Sequence, residues 1–311
     1  MRVVAGAGRD DIARVYIAET DDGKRIEFVE SVQPPLSREE KWVLIVSTLY
    51  GFPVGCRFCD AGGHYQGTLT ADEIFFQIDY LIRRRFPEGR IPVRKLKVQF
   101  ARMGEPSLNR HVLEVLEHLP GRYDIPGLIP SISTVAPVGT DAFFERLKEI
   151  KERLYGDRFQ FQFSLHSTDN RARSWLIPVR TWSMEKMAEY GASLYENGGR
   201  KIVLNFALAK GVPVEPEVLK RYFSPDIFMA KITPVNPTYQ ARKSQVVSSI
   251  REGERCCETL DALRAAGYEA LLSIGEWEEN RIGSNCGQYI LKHQKMQETI
   301  RSGYTYDLEE I

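Results

Sequence analysis

The sequence predicts an α/β protein in which about six βα units form a partial barrel, (βα)6, behind an N-terminal β-hairpin. Two observations carry this. Apolar, strand-like runs alternate with helical patterns of about 10–17 residues, which makes the sheet mainly parallel. The units number about six, too few for a closed eightfold barrel. The composition, 43% hydrophobic and 27% charged, is that of a globular chain. With 42 basic and 42 acidic residues the net charge is zero, so no global basic field draws the protein to nucleic acid.

In chain order, Arg14–Val32 reads as strand, turn and strand about Asp21-Asp22-Gly23. Trp42–Tyr50 is a buried strand, and a helix follows over Thr70–Phe86, with Thr70 as N-cap and Glu73 completing a capping box. Then come a strand at Leu96–Ala101, a helix near Asn109–Leu119, a strand at Pro130–Thr134 and a helix at Asp141–Tyr155. Phe159–His166 alternates with period two, as a strand should. A helix at Ser183–Glu196, a strand at Lys201–Leu208 and a short helix at Pro216–Tyr222 lead to a strand at Phe228–Val235. A helix at Arg251–Ala266 and a strand at Tyr268–Gly275 complete the pattern, and the tail from Gln297 is expected to pack loosely. The expected division is a hairpin extension over 1–40, the barrel over 41–290 and a tail over 291–311.

The five cysteines, Cys56, Cys59, Cys256, Cys257 and Cys286, are odd in number and widely spaced, which suggests a reducing, cytoplasmic setting rather than a disulfide framework. The start has no apolar signal segment, and no run is long enough to span a membrane. In a parallel α/β sheet, chemistry collects at the C-terminal strand ends. Four groups stand there. Cys56 and Cys59 follow the first barrel strand in a glycine-rich loop, with spacing suited to two buried thiols, a redox pair, a zinc site aided by His64, or an iron–sulfur cluster. Met103-Gly104-Glu105-Pro106 follows the second, where Glu105 offers a carboxylate to an ammonium group or simply forms a turn. Ser164 and His166 share one strand face, and Asn236 precedes Pro237 at a later strand end. Cys286, between Asn285 and Gly287, is a candidate nucleophile, whereas Cys256 and Cys257 read as packed thiols.

The order of these groups, with Cys-Gly-Gln near the end, resembles the radical-SAM superfamily and most closely the RlmN/Cfr family of ribosomal-RNA adenine methyltransferases, over roughly Val15 to Tyr289. The resemblance implies a partial barrel of the radical-SAM type that holds a [4Fe–4S] cluster and S-adenosylmethionine. It implies Cys56 and Cys59 as cluster ligands, and Gly104, Glu105, Ser133, Ser164, His166 and Asn236 as the S-adenosylmethionine site. Cys286 would carry the methyl group and Glu27 would match an acid/base glutamate. Ribosomal or transfer RNA would be the substrate, and a flavodoxin or ferredoxin the electron donor. Arg171, Arg173, Arg180 and Lys201 could form a local phosphate patch.

Three departures accompany the resemblance. Phe52 stands where the family has its first cluster cysteine, with Asp60 and His64 the nearest substitutes. Ile45 stands where the family has a resolving cysteine. About 40 residues precede the barrel where the family carries an RNA-binding domain. The alternatives are a cluster-deficient protein that binds S-adenosylmethionine, and a radical enzyme that abstracts hydrogen from a peptide or small molecule.

Overall fold

The computed structural model describes residues 1–61, 63–88, 90–254, 257–285, 289–290 and 303–311. Cys256 and Cys286 lie outside them.

The N-terminal 40 residues carry three strands, β1 (Arg2–Arg9), β2 (Ala13–Glu19) and β3 (Arg25–Val32), paired antiparallel. The expected hairpin is β2–β3. The additional strand β1 is rich in Ala and Gly, residues of low strand propensity, and pairing with β2 supplies what its sequence does not. Strand β3 continues antiparallel onto β4 (Trp42–Val46), so the hairpin extends the main sheet.

The strand expected over Trp42–Tyr50 ends at Val46. The Ser47 amide bonds to Gln77 Oε1 at 2.8 Å, and the Thr48 and Leu49 amides bond to the Met103 carbonyl at 2.8 and 3.1 Å. These bonds turn the backbone out of the ladder. A separate antiparallel pair follows, β5 (Leu49–Phe52) and β6 (Gly63–Thr68), and the cysteine loop connects them. Helix α1 (Ala71–Arg85) starts at the Thr70 cap, with the capping box to Glu73 formed in both directions.

The βα alternation then runs through β7 (Leu96–Phe100), α2 (His111–Arg122), β8 (Leu128–Thr134), α3 (Asp141–Leu154), β9 (Gln160–Ser164), α4 (Asn170–Leu176), α5 (Met184–Leu194), β10 (Ile202–Leu208), α6 (Pro216–Lys220) and β11 (Phe228–Pro234). Helices α7 (Tyr239–Lys243) and α8 (Glu258–Ala265), strand β12 (Ala270–Leu272), helix α9 (Glu278–Ile282) and strand β13 (Glu309–Glu310) complete it. Helices α4, α7 and α9 span five to seven residues, too short to show a helical period in the sequence. The helix expected from Arg251 begins at Glu258, because Arg251–Glu254 closes a turn through Arg251 N–H to Glu254 Oε2 at 2.8 Å.

The sheet has eleven strands in the order β12-β11-β10-β9-β8-β7-β4-β3-β2-β1-β13, parallel from β4 to β12. Its β4 edge pairs with β3 and not with β12, so the barrel is open. Period two then sorts each strand. On β9, Phe161 and Phe163 face the helical layer and are buried, whereas Gln162 and Ser164 face the opposite side. Residues from β4 through β11, and Ser273 just past β12, line one cavity on that second side, so the sheet curls around it.

Within the tail, the described residues 303–311 are held against the fold and not loose. Tyr304 is 2% exposed and stacks on Tyr239 with ring centroids 5.5 Å apart, and Glu309 and Glu310 pair with Gly6 and Ala5 of β1. No helix among the described residues is long and apolar enough to cross a membrane.

Candidate active site

The cavity at the C-terminal strand ends encloses about 350 Å³, within the ordinary range for a small-molecule site. Cys56, Cys59, Gly104, Glu105, Ser133, Ser164, His166 and Asn236 all line it, so eight residues singled out in the sequence surround one void. Strand register explains the convergence: Ser133 pairs with Gln162, Ser164 with Asn205, and Asn205 with Lys231. These polar side chains stand on neighbouring strands of one sheet face. Gln162, Asn205 and Lys231 escape the sequence reading. Their cavity-facing parity within otherwise apolar strands is the signal that could have found them.

Glu105 is 2% exposed and engaged by the protein itself. Its Oε1 accepts from Ser107 N at 3.2 Å, Ser107 Oγ at 2.8 Å and Thr134 Oγ1 at 2.5 Å, and its Oε2 accepts from Val135 N at 2.9 Å. Burial raises its carboxyl above the ordinary range, and these donors oppose that rise. Four donors use about the full capacity of a carboxylate, so Glu105 ties the end of β7 to β8. Gly104, at φ 107°, cannot be replaced by a residue with a side chain: a Cβ would lie 2.5 Å from Leu49 Cγ and 2.7 Å from Thr48 Oγ1.

His166 holds a left-handed backbone at φ 62°. Its Nδ1 accepts the Ala207 N–H at 3.0 Å, and its ring packs edge-on against Phe58 with centroids 4.9 Å apart. Burial, helped by the nearby Arg173 charge, pushes its pKa down to about 3. The ring is therefore neutral, with its proton on Nε2 available as a donor. Asn205 Oδ1 is buried without any hydrogen-bond partner among the described residues.

The cysteine loop is held on three sides. Arg57 N and Nε donate to the Leu176 and Trp175 carbonyls at 2.9 and 2.7 Å, and Thr238 Oγ1 donates to the Phe58 carbonyl at 2.9 Å. Asp60 accepts from Tyr239 N at 3.0 Å, Gln240 N at 2.8 Å and Tyr304 Oη at 2.5 Å. Phe52 is 8% exposed and packs in an apolar cluster with Val54, Cys56, Phe58 and Val135. Asp60 is thus committed to the fold, and His64 is exposed and does not line the cavity. Among the described residues no three His, Cys, Asp or Glu side chains converge as metal ligands. The described donor set does not fit a cluster held by three protein thiolates.

Glu27 lies outside the cavity lining and is fully buried. Its Oε2 pairs with Arg102 Nη2 at 2.6 Å, and its Oε1 accepts Ile290 N–H at 2.6 Å. Burial raises its pKa, opposed first by the Arg102 charge. Arg102 also donates to the carbonyls of Gly283 at 2.9 Å, Ser284 at 3.0 Å and Asn285 at 3.4 Å. The pair therefore grips the chain on both sides of position 286. Ile45 lines the cavity wall. Arg173 does not join a surface phosphate patch: it is 4% exposed and donates to the Trp182 carbonyl at 3.0 Å.

A curled, mainly parallel sheet with a cavity of mixed polar and apolar lining at its C-terminal strand ends is the framework expected from the resemblance. Comparison with known proteins agrees. The chain is 26% identical over 298 residues to the ribosomal RNA large subunit methyltransferase N of Nitrosopumilus maritimus, covering 92% of this chain and 78% of that protein. It is 27% identical over 283 residues to a probable dual-specificity RNA methyltransferase RlmN of Thermus thermophilus, covering 89% and 74%. A solved radical SAM methyltransferase from Sphaerobacter thermophilus superposes with a TM-score of 0.69 at 24% identity, covering 92% of this chain and 80% of that one, and shares its fold. No protein-family model matches the chain. The chain is thus similar to methyltransferases of the RlmN kind over most of its length and shares its fold with a radical SAM methyltransferase.

Proposed function

We propose that the protein is a methyltransferase of the radical-SAM type that binds S-adenosylmethionine in the barrel cavity and acts on an RNA base. The observation that carries this reading is the cavity, where eight residues of the motif series meet around a void of about 350 Å³. The RNA substrate is suggested by the names of the relatives.

Bound there, S-adenosylmethionine supplies a methyl group on a positively charged sulfonium. The chain's own residues bind and orient. His166 Nε2–H is a neutral donor and Asn205 Oδ1 an acceptor in need of an amino or hydroxyl group. Gly104 lets backbone line the site where a side chain would collide, and the saturated Glu105 holds that loop in shape. Phe52, Val135, Ala207 and Val235 form an apolar wall that excludes water. Glu27 and Arg102 fix residues 283–285 and 290, the flanks of Cys286, which is the proposed methyl acceptor.

Incubation with S-adenosylmethionine, followed by peptide mass mapping, should place one added methyl on Cys286. No methylation at Cys286, with the cofactor bound, would overturn that assignment.

Phe52 favours a second reading, a cofactor-binding protein without a cluster. Iron and sulfide after anaerobic reconstitution decide between the two. About four irons per chain in the unaltered protein supports the cluster. Iron only in Phe52→Cys shows that Phe52 disables the site, and iron in neither supports the cluster-free reading.

A further inference from the structure

The same cavity is also lined by Ser31, Gln33, Gly275, Glu276, Glu279 and Asn285, and Ser31 pairs with Val43 at the start of β4, whereas the cysteine loop follows that strand's other end. Glu279 on α9 is 9% exposed there. Its Oε1 accepts from Ser31 Oγ at 3.0 Å and its Oε2 from Glu276 N at 3.3 Å, and the Ser284 hydroxyl is a further neutral neighbour. These neutral donors leave part of a carboxylate's roughly four acceptor sites open. Among the described residues no Lys, Arg or His pairs with Glu279: of the cations that line the same cavity, Arg102 is committed to Glu27 and Lys231 forms no ion pair with Glu279, while the charge that acts on it directly is another carboxylate, Glu276.

A carboxylate taken out of water without a cation costs several kcal/mol, about as much as breaking a buried ion pair. Elsewhere this chain meets that cost. Glu27, also buried, has Arg102 at 2.6 Å, and Glu30 has Arg85 at 2.6 Å. Glu279 instead faces the void. Gly275, at φ 68°, makes room for it, because a Cβ at that position would collide with Glu279 Oε2. Independently, Asn205 Oδ1, on a side chain 8% exposed, faces the same cavity without a donor among the described residues. Two under-satisfied acceptors therefore face one cavity, and both call for hydrogen-bond donors from a ligand.

We propose that Glu279 is the substrate-recognition carboxylate of this cavity, taking an N–H-rich group of the substrate: a protonated amine or guanidinium, or the amino edge of a nucleobase. The inference rests on the placement of S-adenosylmethionine at the opposite, cysteine-loop end. Charge-assisted hydrogen bonds supply the recognition, and the apolar wall of Val43 and Ile45 beside it excludes the competing water.

The test uses the full chain and two probes, agmatine and a short single-stranded oligoadenylate RNA, titrated calorimetrically with and without saturating S-adenosylmethionine. The unaltered protein binds one of the probes, which identifies the source of the N–H group. Glu279→Gln, which keeps the acceptor for Ser31, weakens that probe by about tenfold or more and leaves S-adenosylmethionine affinity unchanged. Binding of neither probe, or equal binding by the variant, overturns the proposal. Should Glu279→Gln fail to fold, Glu279→Asp, which withdraws the charge by one methylene, must weaken the same probe. Failure of S-adenosylmethionine to bind, with the probe contrast intact, overturns the cofactor placement and leaves Glu279 as the recognition group.

Discussion

Replacing Arg102 by Met leaves Glu27 as a fully buried carboxylate with no counter-ion, since its remaining partners, the backbone N–H groups of Tyr289 and Ile290, are neutral. It also removes the donor to the carbonyls of Gly283, Ser284 and Asn285. Breaking a buried ion pair from one side costs about 3–5 kcal/mol, most of it the penalty on the abandoned charge. Arg102→Met should therefore lose about 3–5 kcal/mol in urea unfolding near neutral pH. Glu27→Gln in the same chain removes that charge and keeps an acceptor for Ile290, so the double variant should be more stable than Arg102→Met alone by about 1–3 kcal/mol. The sign of the pH response is a second check. Burial already raises the Glu27 pKa and Arg102 opposes the rise, so losing Arg102 raises it further. The folded variant then takes up a proton that the unfolded chain, with an ordinary carboxyl, does not hold until lower pH. The deficit of Arg102→Met should shrink as pH falls below the raised pKa, by up to about 1.4 kcal/mol per unit. A loss under about 1 kcal/mol, or strict additivity in the cycle, would refute the clamp on the 283–290 segment.

Three further outcomes follow from the same geometry. His166 is held neutral with a pKa near 3 against an ordinary 6.5, so the unfolded chain binds the extra proton between those values and stability declines as pH falls through that window. His166→Gln, which keeps an acceptor for Ala207 N–H, should flatten this part of the stability–pH curve, and parallel curves would contradict the assignment. Phe52→Ala should cost about 3–5 kcal/mol in denaturant unfolding, because Phe52 is a packed member of the apolar cluster; a loss below about 1 kcal/mol would make it a surface residue in effect. Tyr304→Phe removes the hydroxyl that donates to Asp60 at 2.5 Å and should cost about 1.5–3 kcal/mol while speeding hydrogen exchange at Tyr239 and Gln240, and unchanged exchange would detach the tail from the cysteine loop.

Local signals made the barrel legible. The alternation of Phe159–His166 and the Thr70–Glu73 capping box are contained in windows of a few residues, and both appear as expected. Strand-end position was legible for the same reason: a residue just past a parallel strand must sit at the mouth, so Gly104, Ser164, His166 and Asn236 could be assigned to one site without knowing strand order. Phe52 could be recognised as a misfit from cysteine spacing alone, but not as a member of a packed apolar wall.

Other features depend on partners remote in the chain. The family resemblance offers Glu27 as an acid/base candidate, yet Arg102, 75 residues on, holds it in a buried ion pair. The end of β4 at Val46 depends on the Met103 carbonyl and the Gln77 side chain, so an apolar run that reads as one strand becomes two. The tail reads as loosely packed, but β1 offers an edge for its acidic end and Asp60 an acceptor for Tyr304. By itself the sequence determined the main barrel strands and helices, their order and the residue types at the strand ends, because hydrophobic period and capping act over a turn or two of chain. Only the tertiary structure decided which carboxylates have their acceptors filled, Glu27 by Arg102 and backbone N–H groups and Glu105 by four neutral donors, and which one, Glu279, faces the cavity with acceptor capacity to spare. Desolvation and counter-charge are set by what packs around a group in space, and strand order brings those neighbours from anywhere in the chain.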